Sequence, residues 1–299
     1  MTNGNIIKLP TGLFDEIVGH AGSSKSYQFR DSKKLYVTYE NVLARRNADD
    51  LNLTGITVHR LLGIDIYGNQ IRSGIIPEHG LIIDELLKLS PNIFSMLIKH
   101  IIQNEIPTTF IYSKQQLLSR DTCENNIFTD SDFYTELIGN KSIEKLIEKG
   151  RCRYTDETVD VLFGKKHHIF PEINPDLEIN LCFTNRTRIK INWRFYKKLG
   201  GSEKLPDFTV ADWQNIPEPP LIIGSRIINN KTKDISICTD ASIKGYSLYY
   251  AQTIHSSQGS TIREPFNLFE LNHYFSNDRL RYTGFTRTSD INFIHTNSR

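Results

Sequence analysis

The chain has 299 residues, 38% of them hydrophobic and 23% charged, with a formal net charge of +2. That balance excludes a disordered chain and leaves room for two ordinary domains, each with its own core. So mild a charge neither demands nor excludes a nucleic-acid partner, because a local basic groove is hidden in the total. The N-terminus, "MTNGNIIKLPTG", lacks the long apolar run of a signal peptide, and no stretch reaches the length of a membrane span. "FDEIVGHAG" reads as a strand running into a glycine loop, "KKLYVTY" as a strand and "ENVLARRNADDL" as a helix. "HGLIIDELL" is an apolar run that ends in two carboxylates. "SPNIFSMLIKHIIQN" has helical spacing after a Ser-Pro start, and "PTTFIYS" is a further strand. Glu144 to Lys149 reads as an exposed helix face. Strands alternating with helices predict a parallel sheet with crossover helices.

The irregular, proline-bearing region from "YTDETVDVLFG" to "FPEINPDLEIN" places a domain boundary near residue 175. Beyond it "INLCFTN" reads as a strand and "RTRIKINWRFYKKLG" as a helix. "PPLIIGSRIINNKTKDISICTD" carries short β runs around an Asn-Asn turn. "YSLYYAQTIHSSQGS" is a strand and loop, and "LRYTGFTRTSDINFIH" a helix and a last strand. No internal repeat is visible. Cys123, Cys152, Cys182 and Cys238 form no C-x-x-C pair, which argues against a zinc site or a disulfide framework and for a reducing compartment.

Four stretches carry chemistry. "GHAGSSKSY" is nearly the phosphate-binding pattern G-x-x-x-x-G-K-[ST]: Gly19, Lys25 and Ser26 fit, Gly22 lies inside the loop, and Ser24 stands where the second glycine belongs. "LIIDE" is an apolar strand delivering Asp84 and Glu85. Near the C-terminus stand "YAQTIHSSQGST" and "RLRYTGFTRTSD". These last two resemble the late motifs of superfamily 1 helicases, and among them the RecD-like branch. Thr253, His255, Gln258, Gly259, Ser260 and Thr261 match the first motif, and Tyr282, Thr286 and Arg287 the second. "KLYVTYEN", "TGITVHRLLGI", "FIYSKQQLLS", "GRCRYTDETVDVL" with Arg153, and "LCFTNRTRIKIN" with Asn185, Arg188 and Asn192 resemble further family segments in the family's order.

The resemblance spans residues 15 to 296 and implies an α/β fold of two tandem RecA-like domains, here 1–175 and 176–299, with parallel sheets and a nucleotide cleft between them. It implies ATP and Mg²⁺ as cofactors. Lys25 would hold the β/γ-phosphates, with Gly19, Gly22, Ser24 and Gly259 in the nucleotide contacts. Ser26 and Asp84 would hold Mg²⁺, Glu85 would orient the attacking water, and Gln116 would sense the γ-phosphate. Arg188 and Arg287 would neutralise transition-state charge from the second domain. Single-stranded nucleic acid, DNA more than RNA, would be held by Thr38, Thr57, His59, Thr253 and His255. The activity so implied is a nucleic-acid-dependent ATPase or DNA helicase, 5′→3′ by branch resemblance, in an intracellular soluble protein with no membrane partner, alongside replication or repair proteins. The richness in Ile, Asn and Lys points to an AT-rich genome such as that of a large DNA virus.

Departures from the family support a second reading, a hydrolytically weak strand-binding module or complex subunit. Ser24 replaces a loop glycine, only a short stretch separates Lys25 from the strand at Leu35, and Tyr112-Ser113 stand where Gly-Asp is usual. A P-loop kinase would leave "TIHSSQGST" unexplained. The stretch between His59 and Asp84 predicts no more than a small hairpin, and Leu221 to Ser247 a small β insertion. His59 on an apolar stretch also reads as a core histidine, Trp193 and Trp213 as core residues before base-stacking ones, Arg45-Arg46 as a solvated helix face or a phosphate contact, and Lys165 to His168 as a solvated loop.

Overall fold

The computed structural model describes residues 12–115, 117–119, 127–145, 152–205, 217–274 and 276–297. It divides into two units, Met1–Arg153 and Tyr154–Arg299. The division lies before the expected position near residue 175, and the reason is local. The Thr155 amide donates to the Ser289 carbonyl at 2.9 Å, and the Ile291 amide to Thr158 Oγ1 at 2.8 Å. The proline-bearing region is therefore bound to the C-terminal segment.

The first unit contains β1 (Phe14–Gly19), β2 (Leu35–Thr38), α1 (Asn41–Leu51), β3 (Gly55–Thr57), α2 (Val58–Leu62), β4 (Leu81–Asp84), α3 (Pro91–Gln103), β5 (Thr108–Tyr112), α4 (Asp132–Ile138) and β6 (Ser142–Lys145). Its strands form one sheet in the order β3-β2-β4-β5-β1-β6, parallel throughout. Period-two side-chain alternation gives it two apolar faces. Ile17, Tyr36, Ile82 and Ile111 pack with Ala48 and Leu51 of α1. Phe14, Val18, Val37, Leu81, Ile83, Phe110 and Tyr112 pack on the other face with Leu97 and Ile101 of α3. Each such fully buried aliphatic side chain stabilises the unit by roughly 2 kcal/mol. Helix α3 starts where the Ser-Pro signal predicts: Ser90 Oγ accepts from the Ile93 amide, and Pro91 takes the first turn, where no N–H is needed.

Strand β6 corrects the reading of Glu144 to Lys149 as a helix face. Glu144 and Lys145 extend parallel to β1, paired with Val18 and Gly19, and residues 146–151 lie outside the described residues. An outer strand needs only backbone partners on one side, so a polar sequence suffices. The expected hairpin before β4 is a single antiparallel bridge, Ile64 to Gln70, whose turn is tied by Asp65 accepting from the Tyr67 and Asn69 amides.

The second unit contains α5 (Asp156–Leu162), β7 (Asn180–Cys182), α6 (Asn185–Lys198), β8 (Arg226–Asn229), β9 (Ile235–Ile237), β10 (Tyr246–Leu248), β11 (Ala251–Thr253), α7 (Ile254–Ser257), β12 (Phe266–Leu268), α8 (Asp278–Phe285) and β13 (Ile294–His295). A parallel sheet runs β11-β7-β12-β13, and β10-β8-β9 form the expected small antiparallel insertion. Buried asparagines join the layers. Asn192 of α6 donates to the Leu248 carbonyl and accepts from the Tyr250 and Ala251 amides. Trp193 is buried, its indole donating to the Pro217 carbonyl at 3.0 Å, so it is a core residue. Trp213 and Cys123 lie outside the described residues.

The two units share one plan. The succession β2-α1-β3-α2-β4-α3-β5 matches β7-α6-β11-α7-β12-α8-β13, with the insertion lying between α6 and β11. The registers match as well: Thr38 pairs with Thr57 and Val37 with Ile83, as Cys182 pairs with Thr253 and Leu181 with Leu268. A repeat invisible in the sequence is thus explicit in the fold. Among the described residues the first sheet adds β1, the strand that carries the glycine loop, and β6 beside it.

Candidate functional site

Strand β1 ends at Gly19, where an added Cβ would meet the Lys145 carbonyl of β6 at 2.3 Å. Only glycine lets the two backbones approach so closely. The loop that follows turns back on itself. Ser23 Oγ and its amide both donate to the His20 carbonyl, and Gly22 accepts from the Arg153 amide at 3.4 Å with φ +78°. Ser24 is in the left-handed region, φ +57°, so the position the sequence marks as a missing glycine does require the conformation that glycine favours. A four-residue 3₁₀ turn, Ser26–Phe29, takes the place of a longer helix.

Lys25 is buried and donates to the Gly19 carbonyl at 2.9 Å and the His20 carbonyl at 2.6 Å. Burial pulls its pKa down to about 8, with Asp84 and Glu85 opposing the fall and Arg153 adding to it. Ser26 Oγ donates to Asp84 Oδ2 at 2.8 Å, and the Glu85 amide to Asp84 Oδ1 at 2.8 Å. Burial, then the neighbouring Glu85 charge, raises the Asp84 pKa against the bonds it accepts. Glu85 is buried just past β4 with a left-handed backbone, φ +58°. The sequence-predicted Gly19, Gly22, Ser24, Lys25, Ser26, Asp84 and Glu85 thus belong to one corner of the first unit, at the C-terminal ends of β1 and β4. Gln116 lies outside the described residues.

Two further groups bear on this corner. Tyr36 of β2 donates its hydroxyl to Asp84 Oδ2 and accepts from Asn47 Nδ2 at 3.2 Å. Its ring is buried, and a buried tyrosine hydroxyl must find a partner, which is the one signal for it in the sequence. Arg153 reaches the loop through its backbone, and its charge is felt at Lys25.

The residues expected to touch nucleic acid fall into matching places in the two units. Thr57 caps α2 by accepting from the Arg60 amide, and Thr253 caps α7 by accepting from the Ser256 amide, each at 3.2 Å. Two residues on, His59 lies 5.4 Å from the Tyr39 ring and His255 lies 6.0 Å from the Phe183 ring. His59 is half-buried rather than a core residue, and burial lowers its pKa. Thr38 is buried, and its hydroxyl accepts from the Glu40 amide at the entry to α1.

Arg188 and Arg287 of the second unit bond to groups of that unit. Arg188 pairs with Glu218 and donates to Asn185 Oδ1. Arg287 is buried; it donates to the carbonyls of Thr283, Ser257 and Ser260, at 2.8, 3.1 and 3.3 Å. It thereby braces the turn that holds Gly259, φ +82°, and joins the two C-terminal motifs. In the 165–168 loop Lys166 pairs with Glu157 at 2.5 Å and His168 packs on Phe170. Among the described residues no cluster of three His, Cys, Asp or Glu suits a metal. The side chains of Arg45 and Arg46 lie outside the described residues.

No protein-family model matches the chain. No curated protein matches it either. Solved structures do. The Pif1 helicase of Candida albicans is similar at 15% identity and a TM-score of 0.65, over 96% of this chain and 91% of that one. The Bacteroides Pif1 helicase in complex with ADP-AlF3 and single-stranded DNA is similar at 18% identity and a TM-score of 0.61, over 95% and 88%. A Pif1 helicase described in DNA unwinding at forked double-stranded DNA is similar at 17% identity and a TM-score of 0.64, over 95% and 87%. At such identities the likeness speaks for architecture: the chain has the α/β fold of those helicases, two RecA-like domains in tandem.

Proposed function

We propose that the chain is an ATPase of the superfamily 1 helicase kind, stimulated by single-stranded DNA and moving along it 5′→3′. The observation that carries this reading is the corner in which Lys25, Ser26, Asp84 and Glu85 meet at the ends of two parallel strands. In this reading Lys25 leaves the Gly19 and His20 carbonyls for the β/γ-phosphates of ATP. Its ammonium is poised to do so, since a bound anion offsets the burial that lowers its pKa. The Ser26 hydroxyl and Asp84 carboxylate are the hard oxygen donors that Mg²⁺ takes, and Tyr36 orients that carboxylate. The metal would supply charge neutralisation along the phosphates. Glu85 takes the proton of the water whose oxygen bonds to the γ-phosphorus, while the bond to the ADP oxygen breaks and its electron pair leaves on ADP.

Gln116 senses the γ-phosphate. Arg188 and Arg287 supply positive charge from the second unit, Arg287 at the expense of bonds to its own turn, and Arg153 adds a cation beside the loop. Thr57, His59, Thr253 and His255 hold the strand, with Thr38 acting through the turn that presents Tyr39. The Bacteroides Pif1 helicase was solved with a nucleotide analogue and single-stranded DNA, which supports the same two ligands here.

A second reading is favoured by one observation, the left-handed Ser24 ahead of a single 3₁₀ turn. A strained cradle and a short helix weaken phosphate binding, and the chain would then act as a clamp on single strands within a larger complex. ATP hydrolysis by the purified chain, with and without single-stranded DNA and beside Lys25→Ala, separates the two. DNA-stimulated hydrolysis lost in the variant is the outcome expected of a motor. Hydrolysis no faster than the variant's, with strand binding retained, leaves the clamp.

A further inference from the structure

The shared plan of the two units pairs positions at the ends of β2, β3 and β4 with positions at the ends of β7, β11 and β12. By register Thr57 corresponds to Thr253, Tyr39 to Phe183 and Glu85 to Glu270. The last correspondence extends to the backbone: Glu85 has φ +58° and Glu270 φ +64°. Left-handed backbone at a non-glycine residue is held only where its surroundings fix it. Among the described residues the second unit shows no counterpart of β1 and no phosphate loop beside Glu270. Its carboxylate accepts four donors from the turn between β7 and α6 and from the first turn of α6: the Phe183 amide at 3.0 Å, the Thr184 amide at 2.8 Å, Thr184 Oγ1 at 2.9 Å and Thr187 Oγ1 at 2.7 Å. That turn presents the partly exposed Phe183 ring, with His255 at 6.0 Å on one side and His273 at 5.1 Å on another. Arg186 and Lys190 follow on α6, about one turn apart.

We infer that Glu270 is a positioning residue for strand binding, fixing the backbone at Phe183 so that its ring, beside His255 and His273, is a stacking surface for an unpaired base. An aromatic ring accepts any base because every base has a π face, and the cations of α6 suit the adjoining phosphates. Four charge-assisted bonds to one carboxylate hold that backbone in place before the base arrives, so little ordering is left to the binding step. The inference rests on the reading of the chain as a single-strand binder.

The test compares two labelled probes of equal length, oligothymidylate and an abasic deoxyribose-phosphate strand, by fluorescence anisotropy. Phe183→Ala is expected to weaken oligothymidylate binding by about tenfold and to leave the abasic probe unchanged. Glu270→Ala is expected to give the same base-dependent loss, and Glu270→Gln a smaller one, because the amide oxygen accepts only part of what the carboxylate does. If Glu270→Ala fails to fold, Phe183→Ala and Phe183→Leu carry the test alone. Equal binding of wild type and Phe183 variants to both probes overturns the stacking surface while strand binding stands. A wild type that binds neither probe overturns strand binding and this inference together. A loss that is equal on the two probes assigns Glu270 to the fold and overturns its positioning role.

Discussion

The end of β4 and the end of β12 are the same place in two copies of one plan, yet they carry different chemistry. At the first, Asp84 and Glu85 close on Ser26 and Lys25 of the glycine loop. At the second, Phe269 replaces the aspartate, and Glu270 keeps the left-handed backbone but binds the turn beside it. The difference comes from one strand. With β1 next to β5, a loop rich in amides and a lysine reaches the carboxylates; without it, a glutamate at that position has only its own sheet's turns to bond. A corner facing a glycine loop and a strut that holds a turn are therefore alternatives open to one backbone, decided by which donors are brought to it.

The comparison is broken most severely at Asp84. Asp84→Ala leaves the Ser26 and Tyr36 hydroxyls and the Glu85 amide without their shared acceptor. The expected outcome is loss of ATP hydrolysis and a fall in unfolding free energy of about 3 kcal/mol, measured by denaturant melts. Phe269→Ala, at the matching place, is expected to leave hydrolysis intact.

Lys25 gives a pH signature of its own. Its folded pKa of about 8 lies below the ordinary 10.5, so between those values the unfolded chain holds the extra proton. The penalty is complete below pH 8 and disappears as pH rises toward 10.5. Lys25→Met removes it at the expense of two hydrogen bonds, for a net stabilisation of about 1 kcal/mol at pH 7 that turns into a net destabilisation of about 2 kcal/mol above pH 10.5, where no penalty is left to remove. Nucleotide affinity of the wild type should fall as pH rises through about 8, since the neutral amine no longer attracts phosphate. Thermal melts of the variant and nucleotide titrations of the wild type between pH 6.5 and 9.5 check both, and a flat affinity profile removes Lys25 from the phosphate site.

Ser24→Gly sharpens the choice between motor and clamp. Relief of the left-handed serine is expected to stabilise the fold by about 1 kcal/mol. A rise in nucleotide affinity with it would identify the loop as the limiting element, and no rise would leave the short 3₁₀ turn as the constraint. The smallest effects belong to the matched caps. Thr57→Ala and Thr253→Ala should each destabilise by about 1 kcal/mol and weaken strand binding to a similar degree, as read by anisotropy. A loss confined to one of them would show that the two units do not share the strand equally.

Much of this protein is written locally. The strands of the first sheet follow from short apolar runs, because a strand buried on both faces has no polar side to show. Ser90-Pro91 announces α3, the Asn-Asn turn announces the insertion, and Lys25-Ser26 with Asp84-Glu85 announce the corner. Tertiary structure decided the rest, because it depends on partners distant in sequence. Strand β6 exists through backbone pairing to β1, which no side-chain period encodes. Residues 154–175 join the second unit through bonds to Ser289 and Ile291. Arg287 is spent on carbonyls of its own unit, Tyr36 serves Asp84 from the neighbouring strand, and Glu270 is matched to Glu85 only by register. A sequence states which groups a chain carries; which of them meet is decided by strand order.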